Sequence, residues 1–544
     1  MLVSIYNSNK IKNMKKTTFF LMFLIAFVSC TKRLDKMPYG VVSTDNFYKT
    51  AADAGLAVTA AYKSFQLLDG QNTWNTQAGY TPMGDITGPD VQAHPDLVVY
   101  YQIQESIVSP SSDQMEMLYQ RCYKALLLAN EAIEKIPAID MDETLKARYM
   151  GELYFIRGFW MFRLGYIFGT APLVTAPLNI AELNIPNSVR TAEFDQSKKV
   201  NNYKITKSDL FDQAEADFKL AMQQPLADRN TGDLMGRADK GAVEAYLTQI
   251  YLYEHRWSDA KPLLENIMSY GYALLPDYND VFNGSHDNSS EGVFEVQYTA
   301  LNQKGTGNFG TVLNAPNGEG YVAGGGWGWT RPTPDLENEY EADDSRLTAS
   351  IFRKNQDDFF GQIFMDKVNG TGLGIRKWCI GNPPNNYGTT VDQVSWNNSS
   401  NYTLVRYAEV LLWYAEVMNE LDDQSTAAAY INKVRARTGT TTDPNTINKS
   451  VIKALPPISS TLSYENMFWA IVHERRVEFA FEGKFGWDLR RWGIASQYLT
   501  DPKRWQNQVT PNYFKYKVGK DEIFPLPQIE IDKSGGTLKQ NPGY

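Results

Sequence analysis

The sequence predicts a mostly α-helical protein, in which helices pack as hairpins and long loop-rich insertions carry a few short strands. Two observations support this fold class. Over long segments, apolar side chains recur every three to four residues, as on one face of a helix. Between residues 272 and 403 this periodicity stops, and glycine, asparagine, serine and aromatic residues dominate. A chain of 544 residues is long enough for one large body of this kind.

Long amphipathic helices are predicted for most of the N-terminal part of the chain. The periodicity covers four segments, at residues 45–68, 113–136, 142–168 and 208–222. Pro137 separates the second helix from the third, and Gly169 with Pro172 ends the third, because proline cannot continue a helix and glycine favours its end. Residues 170–206 read as a loop-rich connection.

Two helical hairpins are predicted on either side of the irregular segment, at residues 238–271 and 404–438. The first hairpin resembles a tetratricopeptide unit in its length and in the spacing of Leu247, Tyr251 and Ala260. We therefore expect one tetratricopeptide-like body over residues 30–544. Its expected parts are an N-terminal helical part (43–270), a loop-rich insertion (272–403), and a C-terminal helical part with a tail (404–544).

The irregular segment 272–403 is expected to form a binding face, together with a similar zone at 69–109. Long irregular insertions in folded proteins are usually functional or disordered, and a high aromatic content argues against disorder. Residues 292–298 and 376–380 have the composition of strands. We expect the two zones to lie on one surface.

The N-terminus has the pattern of a signal peptide over residues 1–29. A basic start at Met14, which is the expected initiator, precedes an apolar run from Phe19 to Val28 that is too short to span a bilayer. Small residues before a single cysteine resemble a bacterial lipobox, which predicts lipidation of Cys30, by palmitate among other acyl chains. A plain secretory signal with an incidental cysteine is the alternative.

Composition excludes several classes of function. A net charge of −9 argues against nucleic-acid binding, which requires a basic surface. The four histidines lack paired-ligand spacing, so no zinc site is expected. A G-x-G-x-x-G match at 305–310 lacks a following helix, so no dinucleotide cofactor is expected. A structural calcium ion is the one open alternative to the absence of cofactors, with ligands from the following loop residues: Asp277, Asp280, Asp287 and Glu291.

Residues 471–493 place many charges among aromatic side chains. Helical spacing puts several of these charges on a buried face, where each needs a partner. Arg490 and Arg491 are expected to fold back onto Glu478 and Glu482. We interpret the segment as a structural ion-pair lock formed by Glu474, Arg475, Glu478, Glu482, Arg490 and Arg491. Paired carboxylates also mark glycoside hydrolases, but nearby arginines would keep them ionised, so no catalytic residue is predicted.

Aromatic residues in polar loops are the candidate ligand-binding residues. Trp327 and Trp329 lie in a glycine-rich run, where exposed rings favour a ligand that covers them, such as the flat face of a sugar. The alternative is that the rings fill gaps between loops and helices. The predicted ligand-binding set is Trp74, Tyr80, Tyr298, Trp327, Trp329, Arg331 and Trp396.

Several segments together resemble the SusD/RagB family of outer-membrane lipoproteins of Bacteroidetes. They are Cys30 with Leu34-Asp35-x-x-Pro38, FYKTAADAGLAVTAAY (47–62), GGGWGWTRPTPDLENEYEADDSR (324–346), RYAEVLLWYAEVMNEL (406–421), HERRVEFAFEGKFGWDLRRWG (473–493) and IFPLPQIEIDKSGGTLKQNPGY (523–544). The resemblance covers nearly the whole chain. It implies an α-helical body with a binding face built from loops, and binding without catalysis.

The resemblance also implies a partner and a location. Such proteins act as the lid of a SusC-like TonB-dependent barrel, anchored in the outer membrane by a lipid on the cysteine, here Cys30, and facing outward. Their ligands are commonly glycans and sometimes peptides, so both remain open, with glycan hydrolysis as the third and weakest hypothesis. Thr31-Lys32-Arg33 departs from the acidic residues that often follow the lipidated cysteine in exported members.

Overall fold

The computed structural model describes residues 47–66, 80–94, 96–177, 207–299, 308, 310–317, 326–365, 370–379, 399–505 and 515–544. Helices dominate these ranges. In chain order they are α1 (Ala51–Gln66), α2 (Tyr80–Ile86), α3 (Val98–Gln104), α4 (Asp113–Lys135), α5 (Glu143–Phe168), α6 (Lys207–Met222), α7 (Lys240–Tyr253), α8 (Trp257–Ser269), α9 (Gly310–Asn314), α10 (Pro334–Glu337), α11 (Ser345–Ser350), α12 (Tyr407–Glu420), α13 (Gln424–Ala436), α14 (Tyr464–Glu478), α15 (Phe485–Arg491), α16 (Ala495–Leu499) and α17 (Gln528–Lys533).

Short strands pair in twos. They are β1 (Val91–Ala93), β2 (Gly292–Val296), β3 (Thr330–Pro332), β4 (Ile351–Arg353), β5 (Asp358–Phe359), β6 (Gln362–Ile363), β7 (Leu373–Ile375) and β8 (Tyr402–Arg406). The antiparallel pairs are β1–β3, β2–β8, β4–β7 and β5–β6. Two of these pairs, β1–β3 and β2–β8, join segments far apart in sequence. The pair β1–β3 brings the described parts of the two loop-rich zones together.

The long N-terminal helices confirm the periodicity prediction and differ from it mainly at one end. Helices α4, α5 and α6 begin and end within one residue of the predicted bounds. Asp142 caps α5 by accepting a hydrogen bond from the Leu145 N–H at 2.7 Å. Helix α1 begins six residues later than predicted. The Asp53 carboxylate accepts hydrogen bonds from the N–H groups of Lys49 and Thr50, which fixes a turn before the helix.

Helix α5 is buried on nearly all sides and packs closely against α6. Two glycines of α5, seven residues apart, form the contact. A Cβ at Gly158 would lie 2.8 Å from the Phe218 ring, and one at Gly165 would lie 2.7 Å from the Phe211 ring. The absence of side chains at these positions therefore lets the aromatic rings of α6 pack directly against the α5 backbone.

The two predicted hairpins are present as α7–α8 and α12–α13. The predicted start of the second hairpin is wrong by three residues, because Tyr402–Arg406 forms β8 and pairs with β2. The strand expected at 376–380 is also displaced. The strand β7 ends at Ile375, and the positive φ of Trp378 turns the chain there. Cys122 is buried, and burial raises the pKa of its thiol to about 12.

Candidate functional site

The backbone of residues 326–329, here called the tryptophan loop, is held between α9 and β1. The Trp329 N–H donates to the Leu313 carbonyl at 2.9 Å, and the Trp329 carbonyl accepts from the His94 N–H at 2.8 Å. A Cβ at Gly326 would lie 2.3 Å from a carbonyl oxygen of the segment after α9, so only glycine fits this approach. The loop therefore has a defined position next to the β1–β3 pair.

Aromatic rings form a row in this loop. The ring centroids of Trp327 and Trp329 are 5.8 Å apart, and those of Trp329 and Tyr100 are 5.4 Å apart. Trp329 is only 7% exposed and belongs to the hydrophobic core, whereas Trp327 is half-buried and keeps part of its surface open. The loop thus presents one partly open ring, which rests on a second ring fixed in the core.

Polar groups lie beside the tryptophan loop. The Nδ1 of His94 accepts a hydrogen bond from the Asp96 N–H at 3.2 Å, which leaves its Nε2–H as a donor. Partial burial and the nearby Arg331 guanidinium lower the pKa of His94, so the imidazole is neutral at pH 7. The Asp96 carboxylate is 88% exposed. Sequence reasoning missed both residues, because nothing before the pairing of β1 with β3 places them near Trp329.

The structure places the predicted ligand-binding residues in different environments. Tyr298, Trp329 and Arg331 are buried, which corrects the expectation that they are exposed on open loops. Arg331 lies in β3, while Tyr298 and Trp329 lie next to β2 and β3, and both strands pair with distant strands. Contact of any of these residues with a ligand stays a prediction. Trp74, Trp396 and Cys30 lie outside the described residues, as does the side chain of Tyr80.

The carboxylate of Glu478 is the centre of a buried ion-pair network, here called the Glu478 network. It is bonded by Arg346 at 2.9 Å, by Arg406 at 2.6 Å, and by Arg437. All four side chains are almost completely buried. Burial alone would raise the pKa of Glu478, but the three guanidinium groups outweigh it and hold the pKa well below the usual range.

Glu482 extends the Glu478 network. Arg406 bonds both of its oxygens, at 2.8 Å each, and the Lys377 ammonium bonds one of them at 2.8 Å. These cations lower the pKa of Glu482 against the opposing effect of burial. A glycoside hydrolase requires a carboxylic acid that donates a proton. Glu478 and Glu482 are held in the ionised form, which is unsuited to that role.

The predicted partners of Arg490 and Arg491 are wrong. Arg491 bonds Glu416 and Asp488, and Arg490 donates to the carbonyl oxygens of Thr87 and Gly486 instead of to a carboxylate. Two positive φ angles, at Phe481 and Gly483, turn the chain between α14 and α15. The partners of Glu478 that sequence reasoning missed are the arginines of distant segments: Arg346, Arg406 and Arg437.

The remaining members of the predicted lock are buried and paired. Glu474 accepts from Arg346 at 2.6 Å and from Arg435 at 2.9 Å. Arg475 bonds Asp488 through Nε at 2.8 Å and Glu409 at 3.2 Å. Helix α14 therefore directs charged side chains toward partners on several sides, and Glu474 joins the Glu478 network because both carboxylates share Arg346.

Arg476 links α14 to the tryptophan loop. Its guanidinium bonds Asp90 at 2.8 Å, Asp335 at 2.6 Å and Glu339 at 2.7 Å. Asp90 comes directly before β1, and Asp335 follows β3 in α10. One buried guanidinium thus joins β1 and β3 at the end of the pair where Val91 faces Pro332, which is the end opposite the tryptophan loop.

The four acids proposed for calcium serve other contacts. Glu291 is buried and ion-paired with Arg406 and Arg437, and Asp277 accepts hydrogen bonds from Thr442. Within the described residues, no group of three or more histidine, cysteine, aspartate or glutamate side chains has an arrangement suited to a metal ion. Among the helices of the described ranges, none has both the length and the apolar character needed to cross a bilayer.

Family models match an N-terminal and a C-terminal part of the chain. A family model described as "SusD family" matches residues 361–544, and a SusD-like model described as "Starch-binding associating with outer membrane" matches residues 39–252. SusD-like protein P2 of Formosa agariphila is 22% identical, over 96% of this chain and 99% of that protein. A SusD-like protein of Bacteroides ovatus is 23% identical, over 96% of this chain and 90% of that protein.

Solved structures show the same fold. Surface glycan-binding protein A of Bacteroides thetaiotaomicron is similar, with a TM-score of 0.73, 22% identity, and coverage of 91% of this chain and 100% of that one. A laminarin-binding SusD-like protein has a TM-score of 0.71 at 23% identity, with the same coverage. These likenesses confirm the mostly helical, tetratricopeptide-like fold class. With family models matching both its N-terminal and C-terminal parts, and relatives that span nearly all of it, the chain belongs to the SusD/RagB family.

Proposed function

We propose that this protein binds oligosaccharides at the outer membrane and acts as the lid of a SusC-like TonB-dependent barrel. The observation that carries the proposal is the partly open ring of Trp327 on the tryptophan loop. A half-exposed indole on a fixed frame offers a flat apolar face, which suits the face of a sugar ring. The ring needs no rearrangement before binding, because Trp329 and the backbone bonds of the loop already support it.

Polar groups next to the backbone of the tryptophan loop suit sugar hydroxyls. The Nε2–H of His94 is a donor, and the exposed Asp96 carboxylate is an acceptor. Binding proceeds without turnover, since the strongest pair of carboxylates for hydrolysis, Glu478 and Glu482, is ion-paired and buried in the core. Affinity is modest, because one partly exposed ring and a few solvent-exposed hydrogen bonds contribute little individually.

Relatives favour a glycan over a peptide. The solved structures that resemble this chain include a laminarin-binding SusD-like protein and a surface glycan-binding protein in complex with laminarihexaose. One matching family model is described as associating with the outer membrane. We propose a lipid on Cys30 as the anchor and outward display. Acyl labelling of wild type and Cys30→Ser, followed by membrane fractionation, tests the anchor; a labelled Cys30→Ser variant would contradict it.

Calorimetric titration of the body after Cys30 against oligosaccharides and peptides tests the proposed ligand class. The panel includes laminarihexaose. We expect saturable binding of at least one oligosaccharide, and Trp327→Ala is expected to weaken it at least about tenfold, which corresponds to about 1.4 kcal/mol of stacking energy. Trp257→Ala is the matched control. Trp257 is also half-buried, but it lies at the start of α8 and has no part in the tryptophan loop.

The outcomes separate the hypotheses. Oligosaccharide binding that Trp327→Ala abolishes and Trp257→Ala preserves supports glycan capture at the tryptophan loop. Binding that survives Trp327→Ala overturns the assignment of the face. Binding of peptides alone would show that the ligand is a peptide and would place the protein in the peptide-binding branch of the family. Affinity purification of this protein from native membranes tests the partner, because a SusC-like barrel is expected to co-purify with it. The barrel is expected to be absent from the same purification when this protein is deleted.

A further inference from the structure

A small polar cavity lies inside the helical body, away from the tryptophan loop. Its volume is about 100 Å³, and it is lined by side chains of α5, α7, β8, α12, α14 and α15. Aromatic rings form much of the wall, and charged groups of α5, α12, α14, α15 and the segment between α14 and α15 also line it. The proposed glycan binding makes no use of this space, which raises the question of what its polar wall accommodates.

The carboxylates in the cavity wall are fully occupied by cations of the protein. Glu409 accepts from Arg475 through one oxygen and from Lys484 through the other. Asp488 accepts from Arg475 at 2.8 Å through Oδ2 and from Arg491 at 2.8 Å through Oδ1. Both oxygens of Glu482 accept hydrogen bonds from Arg406, which is not among the residues that line the cavity. The wall therefore offers no free carboxylate oxygen to a cation.

Hydrogen-bond donors in the same wall remain open. The Nη1 of Arg475 is buried and has no hydrogen-bond partner in the part of the chain that the structure describes. Arg475 itself is only 1% exposed. The hydroxyl groups of Tyr246 and Tyr253, and the amide of Gln249, also line the cavity and make no hydrogen bond to any described residue. A buried guanidinium N–H without a partner is costly, so an acceptor is expected there.

We propose that this cavity is a structural binding site for a small monovalent inorganic anion, with chloride or bromide as the test ligands. The open groups are a cationic N–H, two hydroxyls and an amide, all of which can donate to an acceptor that has no hydrogen of its own. A volume of about 100 Å³ holds one halide and leaves room for a water molecule or two, but excludes a sugar. The anion completes the bonding of Arg475 and thereby stabilises the contact between α12, α14 and α15.

Thermal unfolding at constant ionic strength tests the proposal. The body after Cys30 is prepared in potassium gluconate, whose anion is too large for the cavity, and chloride or bromide replaces gluconate stepwise. Because the anion binds only the folded state, we expect the Tm to rise by roughly 2–5 °C and then to saturate. Crystals grown with bromide are expected to show an anomalous scattering peak beside Arg475 Nη1.

Two substitutions at Gln249 make the test specific. Gln249 lies on α7 at the wall and is only partly buried, so both variants are expected to fold. Gln249→Glu places a tethered carboxylate at the cavity and is expected to remove the halide dependence of the Tm. Gln249→Ala removes one neutral donor but leaves the Arg475 guanidinium, so the halide-dependent rise of the Tm is expected to persist at higher halide concentrations. A Tm of the wild type that does not depend on halide, or a bromide crystal with water alone in the cavity, would overturn the proposal.

Discussion

The Glu478 network and the tryptophan loop are both assembled from residues far apart in sequence, but they are held by different forces. In the network, nearly every contact joins two charged side chains that are excluded from water. In the loop, backbone hydrogen bonds and ring contacts fix the position, and one ring remains partly open. The first arrangement gives a rigid body. The second leaves a face whose side chains can change without disturbing that body.

The largest expected effect is that of Glu478→Gln on stability. Removing this charge leaves Arg346, Arg406 and Arg437 close together in the core without their shared carboxylate. Breaking a buried ion pair in this way typically costs about 3–5 kcal/mol. Denaturant unfolding measures the loss. Ligand affinity, measured well below the Tm of the variant, is expected to stay within about twofold of the wild type, since the loop does not contact Glu478.

An exposed ion pair is the matched control for Glu478→Gln. Lys453 bonds Asp343 at 3.3 Å, and its side chain is 67% exposed. Lys453→Gln is expected to change the free energy of unfolding by less than about 1 kcal/mol, because solvent screens such pairs. A Glu478→Gln variant no less stable than Lys453→Gln would show that the network does not hold the body together.

A second prediction separates the two tryptophans of the loop. Trp329→Ala removes a ring that contacts Trp327 and Tyr100 in the core, so we expect a loss of about 3 kcal/mol in unfolding free energy. Trp327→Ala is expected to cost clearly less, because its ring is half-exposed, yet to weaken ligand binding more directly. Unfolding curves and titrations of both variants measure this. Equal losses of stability would contradict the division into a core ring and a binding ring.

The sequence predicted the body better than the face for physical reasons. Helices α4 and α5 follow from apolar periodicity and from a proline and a glycine at their ends, all of which are local. The burial of Trp329 follows from β1–β3, a pairing of two three-residue strands over 200 residues apart, which no local pattern reveals.

The ion pairs show the same limit. Charges on the buried face of α14 predicted that partners exist, but not which ones. Arg346, Arg406 and Arg437 reach Glu478 from three segments that only the tertiary fold brings together. Arg406 gave one usable signal, since it ends an otherwise apolar stretch at the start of a helix. The nearby arginines of α15 were the natural guess and the wrong one.

Acid is expected to weaken the body through its ion pairs. The folded-state pKa values of Glu482 and Asp488 lie below the usual 4.5 and 3.8, because Arg406 and Lys377 stabilise the first charge, and Arg475 and Arg491 the second. Their contribution is therefore complete above about pH 4.5 and is lost as pH falls through the folded-state pKa values. Between pH 3.8 and the folded-state pKa values we expect a loss of at most about 1.4 kcal/mol per pH unit for each such carboxylate.

The pH dependence of the contribution of Asp90 to stability has the opposite sign, and it determines the pH range in which the Tm should be measured. Burial raises the pKa of Asp90 to about 6, although Arg476 opposes this effect. As pH rises, the unfolded chain therefore releases this proton at a lower pH than the folded protein does. Its contribution to stability therefore declines as pH rises from about 4 to 6. Tm values between pH 4 and pH 2.5 isolate the effect of the lowered carboxylates. A Tm that stays constant over this range would contradict the assignment.

The smallest predicted effect tests whether the body positions the face. Arg476→Lys keeps the charge but removes the fork that bonds Asp90, Asp335 and Glu339 together. We expect a loss of about 1 kcal/mol in stability, a several-fold weaker affinity for the ligand, and faster hydrogen exchange of the His94 amide, which bonds the Trp329 carbonyl. Mass spectrometry of peptides that contain residues 91–94 measures the exchange.

The control for Arg476→Lys is Arg353→Lys, in β4, where one guanidinium bonds only the neighbouring Asp357. This variant also loses a fork, but it does not touch the ends of β1 and β3. If both variants weaken binding equally, the effect reflects general destabilisation, and the two regions are independent. If only Arg476→Lys weakens binding and speeds exchange at His94, then one side chain of α14 couples the rigid body to the open ring. The two regions are then physically connected through this guanidinium.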